Sequence, residues 1–135
     1  MSPPKKVVLI DDDEDDRVIF HEALHALRFA VECFYAPDGI SVLNKLQEDT
    51  SSPPDYIFVD LNMPAMSGKE FLTTIKRLPA YKQIPVIILT TSHNPQDREE
   101  TKQLGAFYFI IKPPTVEELS RYLEFIFSTN GIQAK

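Results

Sequence analysis

Tyr56-Ile57-Phe58-Val59-Asp60 decides how this chain folds: four apolar residues, two β-branched and two aromatic, end abruptly in an acid. A run this short and this apolar reads as a strand buried on both faces. Working outward, the pattern recurs. Asp11 and Asp12 follow Val7-Val8-Leu9-Ile10, Thr90 follows Val86-Ile87-Ile88-Leu89, and Lys112 follows Phe107-Tyr108-Phe109-Ile110-Ile111. If the strands are parallel, these end residues converge on one edge of a sheet. Three carboxylates, a hydroxyl and an ammonium would then share one crevice, a set suited to a divalent metal and a phosphoryl group.

The remaining strand candidate is Val31–Tyr35, and the intervals between strands carry helical periodicity. The first helix is expected over Glu14–Phe29, with Phe20, Ala23, Leu24 and Leu27 on one face and acids at its positive end. The second is expected over Asp38–Asp49, with Ile40, Leu43 and Leu46 together, followed by a loop at Thr50 to Pro54. Ser67 and Glu70 form a capping box for the third, which stops before Pro79. The fourth runs from about Pro95 to Leu104 and ends at Gly105. The fifth, Thr115–Ser128, buries Val116, Leu119, Leu123 and Ile126 behind a second box, Thr115 and Glu118. The order is (βα)5, which implies a doubly wound parallel sheet with ligands at the carboxyl ends of its strands.

Bulk properties narrow the function. At 135 residues the chain fits one domain, with no linker or second composition regime after the last helix. Twenty acids against fourteen basic residues give a net charge of −6, which argues against nucleic acid as a partner. Six acids are consecutive, Asp11 to Asp16. The single cysteine, Cys33, lies in an apolar stretch and is expected to be a buried, inert thiol. Neither a signal peptide nor a span of roughly 20 apolar residues is visible, so a cytoplasmic protein is expected.

Three clustered carboxylates repel one another. At about 4 Å and an effective dielectric near 20, each pair costs on the order of 4 kcal/mol. Such a cluster holds a proton or binds a cation. Magnesium suits one or two carboxylates with waters and phosphate oxygens, and would neutralise charge on a transferring phosphoryl group. Lys112 would add a second positive charge and Thr90 a hydrogen bond. Asp60 is the natural nucleophile, because a carboxylate attacks phosphorus without a separate base.

Four motifs in order now resemble a response-regulator receiver domain. They are Leu9-Ile10-Asp11-Asp12, Asp60-Leu61-Asn62-Met63-Pro64-Ala65-Met66-Ser67-Gly68, Pro85-Val86-Ile87-Ile88-Leu89-Thr90, and Lys112-Pro113. The intervals of 30 residues from Asp60 to Thr90 and 22 from Thr90 to Lys112 also suit the family. The resemblance covers nearly the whole chain. It implies a flavodoxin-like sheet of order 2-1-3-4-5 and a phosphoryl group accepted by Asp60 from a histidine kinase. It further implies Mg2+ on Asp12, Asp60 and the Asn62 carbonyl, with Asp11 holding a metal-bound water. Thr90 and Lys112 would contact the phosphoryl oxygens. Phe109 would be a switch aromatic that turns inward as Thr90 moves. Asn62 and Ser92 match positions that tune hydrolysis, and the bond between Lys112 and Pro113 would be cis. Phe109 stands where the family commonly has tyrosine, and Pro114 stiffens the start of the last helix. The stretch Asp11 to Leu24 looks most like stand-alone receivers paired with bacterial phytochromes.

Rival motifs are weaker. His21-Glu22-Ala23-Leu24-His25 matches the zinc-protease pattern, but both histidines lie roughly 100–140° from the Phe20/Leu24 stripe and would face solvent. Asp11, Asp13, Asp15 and Glu22 fall at EF-hand ligand positions, yet Asp16 replaces the required glycine and a strand precedes them. A metal-dependent phosphatase would need a second acid where Asn62 stands. A flavin-binding relative would need a Gly/Ser/Thr-rich first loop, which here is acidic. Tyr122, Phe125 and Phe127 exceed what the last helix needs for its stripe, leaving extra core and a partner surface equally open.

The expected function is a single-domain response regulator of a two-component phosphorelay: a phospho-accepting switch, not an enzyme. Its expected partners are a sensor histidine kinase or phosphotransfer protein, and a downstream protein or a second copy bound through the last strand and its flanking helices. Two outputs stay open, altered protein binding and onward transfer of the phosphoryl group to another histidine protein.

Overall fold

The alternation of short apolar runs and amphipathic segments resolves, in a computed structural model, into five strands and five helices. Residues 6–48 and 52–128 are described; Asp49, the expected end of the second helix, the expected loop residues Thr50 and Ser51, and Thr129 to Lys135 lie outside them. The strands are β1 (Lys6–Ile10), β2 (Glu32–Ala36), β3 (Tyr56–Val59), β4 (Val86–Thr90) and β5 (Tyr108–Ile111). The helices are α1 (Glu14–His25), α2 (Gly39–Glu48), α3 (Gly68–Lys76), α4 (Pro95–Gln103) and α5 (Val116–Ser128). All pairings are parallel and the order is β2-β1-β3-β4-β5, as expected.

Because side chains alternate along a strand, each strand feeds two cores. Val8, Ile10, Ile57, Val59, Val86 and Ile88 meet α2 and α3 on one face. Val7, Leu9, Tyr56, Phe58, Ile87 and Leu89 meet α1 and α5 on the other. There Phe20 lies edge-on to Phe58 with centroids 5.1 Å apart, an arrangement that adds roughly 1 kcal/mol beyond burial. Continuous burial of β1, β3 and β4 therefore explains why their sequences show no polar alternation.

Helix starts follow the expected chemistry. Asp13 caps α1 by accepting the Asp16 N–H, and both halves of the Ser67–Glu70 box are formed at α3. The Glu118 N–H donates to Thr115 Oγ1 at 3.1 Å, and Gly105, at φ +105°, follows α4 in the left-handed region.

Two helix readings need correction. Helix α1 stops at His25 rather than Phe29, because the Ala26 N–H bonds back to Glu22 and Leu24 and the Leu27 N–H to Leu24. That turn lets Leu27, Phe29 and Val31 fold against the α1/α5 core. In α2 the buried face is Gly39, Val42 and Leu46, while Ile40 is exposed. The apolar residues of this helix wrap too far round for composition alone to select the face. Of the three surplus aromatics on α5, Phe127 joins the core, whereas Tyr122 and Phe125 are each 47% exposed.

Candidate functional site

Backbone hydrogen bonds carry the sheet ladder one residue past its strands and fix the crevice. The Asp11 N–H donates to Ala36, the Asp60 N–H to Ile10 and the Lys112 N–H to Thr90, at 2.8–3.1 Å. Asp11 and Asp60 are buried (1% and 7% exposed) and Thr90 is fully buried, an unusual depth for carboxylates. Lys112 reaches into them. Its Nζ lies 3.0 Å from Asp60 Oδ2 and 3.0 Å from Asp11 Oδ2, and it donates a third, shorter contact to Asp16 Oδ2. The convergence inferred from the strand ends is present.

Burial pushes the Asp11 carboxyl above its ordinary value, more than the Asp13 N–H and the Lys112 ammonium pull it down. For Lys112, burial acts downward, but the close carboxylates of Asp16, Asp11 and Asp60 outweigh it and the ammonium is held well above its usual range. Asp11 Oδ2 is fully buried and makes no hydrogen bond; Lys112 meets it at ion-pair distance without hydrogen-bond geometry. A buried anionic oxygen with unused lone pairs, beside a second carboxylate, is a donor set for a hard divalent cation. The residues fit such an ion.

The expected ligand set is nevertheless not gathered as a cage. Among the described residues, no three His, Cys, Asp or Glu side chains cluster in a geometry for a metal. Asp12 is exposed at the rim, and Lys112 supplies the charge that Asp11 and Asp60 need. Asn62 is also exposed, and its N–H makes a long 3.4 Å bond to Asp60 Oδ1.

The expected cis bond before Pro113 is likewise corrected: no cis peptide occurs among the described residues. Trans is favoured by roughly 0.5–1 kcal/mol even before proline. Here the Lys112 N–H and Nζ both find their partners with the bond trans.

The loop beneath Asp60 is tightly set. Ala65 adopts φ +67°, the Gly68 N–H donates to Leu61, and a Cβ on Gly68 would stand 2.4 Å from the Asp60 carbonyl oxygen. Only glycine lets the start of α3 approach the Asp60 backbone this closely.

On the other side, Thr90 Oγ1 accepts the Ser92 N–H at 3.3 Å. Ser92 Oγ in turn donates to Asp97, which Lys69 pairs at 2.7 Å while also pairing Glu100. Phe109 is half-buried, and the Arg98 guanidinium sits 4.7 Å above its ring. Lys69 holds both the Asp97 and Glu100 carboxyls below their ordinary values, Ser92 assisting at Asp97. A lowered carboxyl adds stability above its ordinary value and loses it as pH falls through the lowered one. Lys69→Met is therefore expected to show a small melting deficit at neutral pH that begins to fade as pH falls through about 4 and is gone only below the lowered carboxyl values, checked by thermal melts down through that range.

The rival sites do not assemble. His21 and His25 are exposed, with rings 4.3 Å apart and His21 Nδ1 against the Tyr35 hydroxyl at 3.1 Å. The EF-hand candidates beyond Asp13 lie inside α1. Burial raises the Cys33 thiol to about 12, so it is not a nucleophile at neutral pH.

Asp16 escaped the sequence reading. The available signal was its place three residues past the Asp13 cap, in a helix that starts directly above the strand edge.

This crevice, on this sheet order, defines a response regulator receiver domain. The model of that family matches residues 7–124, and the chain belongs to the family. It is 32% identical over 129 residues to response regulator Rcp1 of Synechocystis sp., covering 93% of this chain and 88% of that protein. The crystal structure of the Mn(2+)-bound form of Rcp1 superposes with a TM-score of 0.80 at 32% identity, over 93% of each chain. The phosphorylated cyanobacterial phytochrome response regulator RcpA gives 0.82 at 31% identity, covering 93% of this chain and 92% of that one. The chemotaxis response regulator CheY4 of Vibrio cholerae gives 0.77 at 32% identity, over 90% and 98%. The protein is thus a phosphorylation-controlled module of two-component signalling. Receiver domains bind a divalent metal and act between histidine kinases and downstream targets. No helix among the described residues is long and apolar enough to cross a membrane.

Proposed function

We propose that Asp60 accepts the phosphoryl group, and that Mg2+ is the metal, held by Asp12, Asp60 and the Asn62 backbone carbonyl, with Asp11 holding a metal-bound water. The observation that carries this reading is Lys112 Nζ at 3.0 Å from both Asp60 and Asp11 at the carboxyl edge of the sheet. An Asp60 carboxylate oxygen attacks the phosphorus of a phosphohistidine. The P–N bond breaks, its electron pair stays on the imidazole, and an aspartyl phosphate remains on this chain. Bound Mg2+ supplies charge neutralisation on the transferring group. Lys112 offsets repulsion between Asp11 and Asp60 beforehand and pairs with the phosphoryl oxygens afterwards. Thr90, already oriented by the Ser92 N–H, supplies a hydrogen bond, and Phe109 responds to its movement.

We read the chain as a single domain acting in the cytoplasm as a switch, without enzymatic turnover of external substrates. The likeness to RcpA points to a phytochrome-type sensor kinase as its phosphate source. Exposed Tyr122 and Phe125 on α5 favour output by protein contact, with a downstream protein or a second copy, over onward relay. The test is mass spectrometry after treatment with phosphoramidate. Label mapping to Asp60 and requiring Mg2+ is the expected result. Label on another residue, or label insensitive to chelation, refutes the assignment.

A further inference from the structure

An ammonium has three N–H donors, and Lys112 faces three carboxylates: Asp11, Asp16 and Asp60. Asp11 and Asp60 are fixed by the sheet. Asp16 comes from another element and is equally well placed. Its own N–H is tied to Asp13 Oδ1 at 3.1 Å in the cap of α1, and the neighbouring Arg17 guanidinium donates to the Asp11 carbonyl at 2.7 Å. The first turn of α1 is thereby pinned to the end of β1, with Asp16 over the crevice. A first-turn acid that merely served the helix dipole would need none of this. Glu14 and Asp15 already serve it and are exposed.

The three carboxylates differ in how readily water can replace Lys112. The Asp11 and Asp60 side chains are 1% and 10% exposed, whereas Asp16 is 29% exposed. A phosphoryl group arriving at Asp60 brings further negative charge and calls on the same ammonium. Asp16, at the wet rim, is the partner that Lys112 can leave at least cost.

We propose that Asp16 is a positioning residue for phosphoryl transfer, holding Lys112 at the mouth of the crevice and competing with the incoming phosphoryl oxygens for it. This rests on the reading of Asp60 as acceptor. Loss of the Asp16 carboxylate frees one N–H of Lys112 for the donor. Asp16→Glu keeps the competitor.

The experiment measures phosphorylation by phosphoramidate at saturating Mg2+ in wild type, Asp16→Asn, Asp16→Glu, Lys112→Met and the Asn/Met double variant. In the transfer the donor's P–N bond breaks and its nitrogen leaves as ammonia. Asp16→Asn is expected to lower the half-saturating donor concentration about threefold, the scale of a partly exposed ion pair, with the maximal rate within about twofold. Asp16→Glu stays near wild type, and the change disappears when Lys112 is methionine. A structural role for Asp16 would move melting temperature without this split.

A second readout is independent of phosphorylation. In metal-free protein, acylation of Lys112 by an amine-reactive ester, followed by peptide mass spectrometry, should speed up in Asp16→Asn, since the contact that holds Nζ at the crevice mouth is gone. If wild type takes no label at Asp60, the functional reading fails while the acylation result still decides the Asp16–Lys112 link. Unchanged half-saturation and unchanged acylation in Asp16→Asn overturn the proposal, as does an equal shift in the Lys112→Met background.

Discussion

Asp60→Asn is expected to abolish phosphate incorporation from phosphoramidate, a loss of at least about a hundredfold, while leaving the fold intact. The amide is the same size as the carboxylate, so the crevice beside Leu61 and Gly68 stays filled. Its oxygen can still accept the Asn62 N–H that Asp60 Oδ1 accepts now. Lys112 loses one of three partners but keeps Asp11 and Asp16. What disappears is the anionic oxygen that attacks phosphorus and one proposed ligand of Mg2+. Intact-mass measurement paired with a thermal melt separates the two effects. Wild-type labelling in a folded Asp60→Asn protein would remove Asp60 from the mechanism. Its absence in a protein that has also lost its melting transition would call for Asp60→Glu, which keeps the charge but displaces the nucleophile by one methylene.

Much of the architecture was legible because the central strands are apolar on both faces. Val7 to Ile10, Tyr56 to Val59 and Val86 to Leu89 can be nothing but buried, and each is followed by the polar residue that the sheet then presents at its edge. Their convergence follows from parallel pairing, so Asp11, Asp60, Thr90 and Lys112 were found without coordinates. The amphipathic segments were less determinate. In α2, Ile40 and Val42 are both β-branched and apolar, and only the assembled core, in which Val42 joins the cluster that holds Phe71 and Tyr81, decides that Val42 is the buried one. The end of α1 depended on a turn that brings Phe29 back to Phe127 at 6.3 Å, a long-range contact invisible to local periodicity.

The charge balance of the crevice was only partly legible. Counting strand-end acids points to Asp11, Asp12 and Asp60, because adjacent acids look equivalent in a sequence. On the β1 edge they are not: Asp11 is buried, and Asp12 is exposed at the rim. The third carboxylate on Lys112 is Asp16, delivered by a helix rather than a strand. Within a run of six acids, the one facing inward is set by where α1 starts, and hence by the Asp13 cap.

Lys112→Met is expected to destabilise the metal-free protein on the order of 3 kcal/mol, the typical cost of leaving buried charge uncompensated. Methionine keeps most of the aliphatic stem, so packing against β5 changes little and the effect is electrostatic. The residual carboxylates are 1%, 10% and 29% exposed, so water can relieve Asp16 but not Asp11. In a domain whose whole stability is about 5–15 kcal/mol, this corresponds to a fall in melting temperature of roughly 10 °C in the presence of chelator. Mg2+ replaces the missing charge only in the folded crevice, so it should raise the melting temperature of the variant more than that of wild type. Phosphorylation should fall even at saturating Mg2+, since the proposed partner of the phosphoryl oxygens is gone. A variant that melts with wild type in chelator would mean that Asp11 and Asp60 do not depend on Lys112 for their charge balance. The crevice would then have to hold its carboxylates by another route.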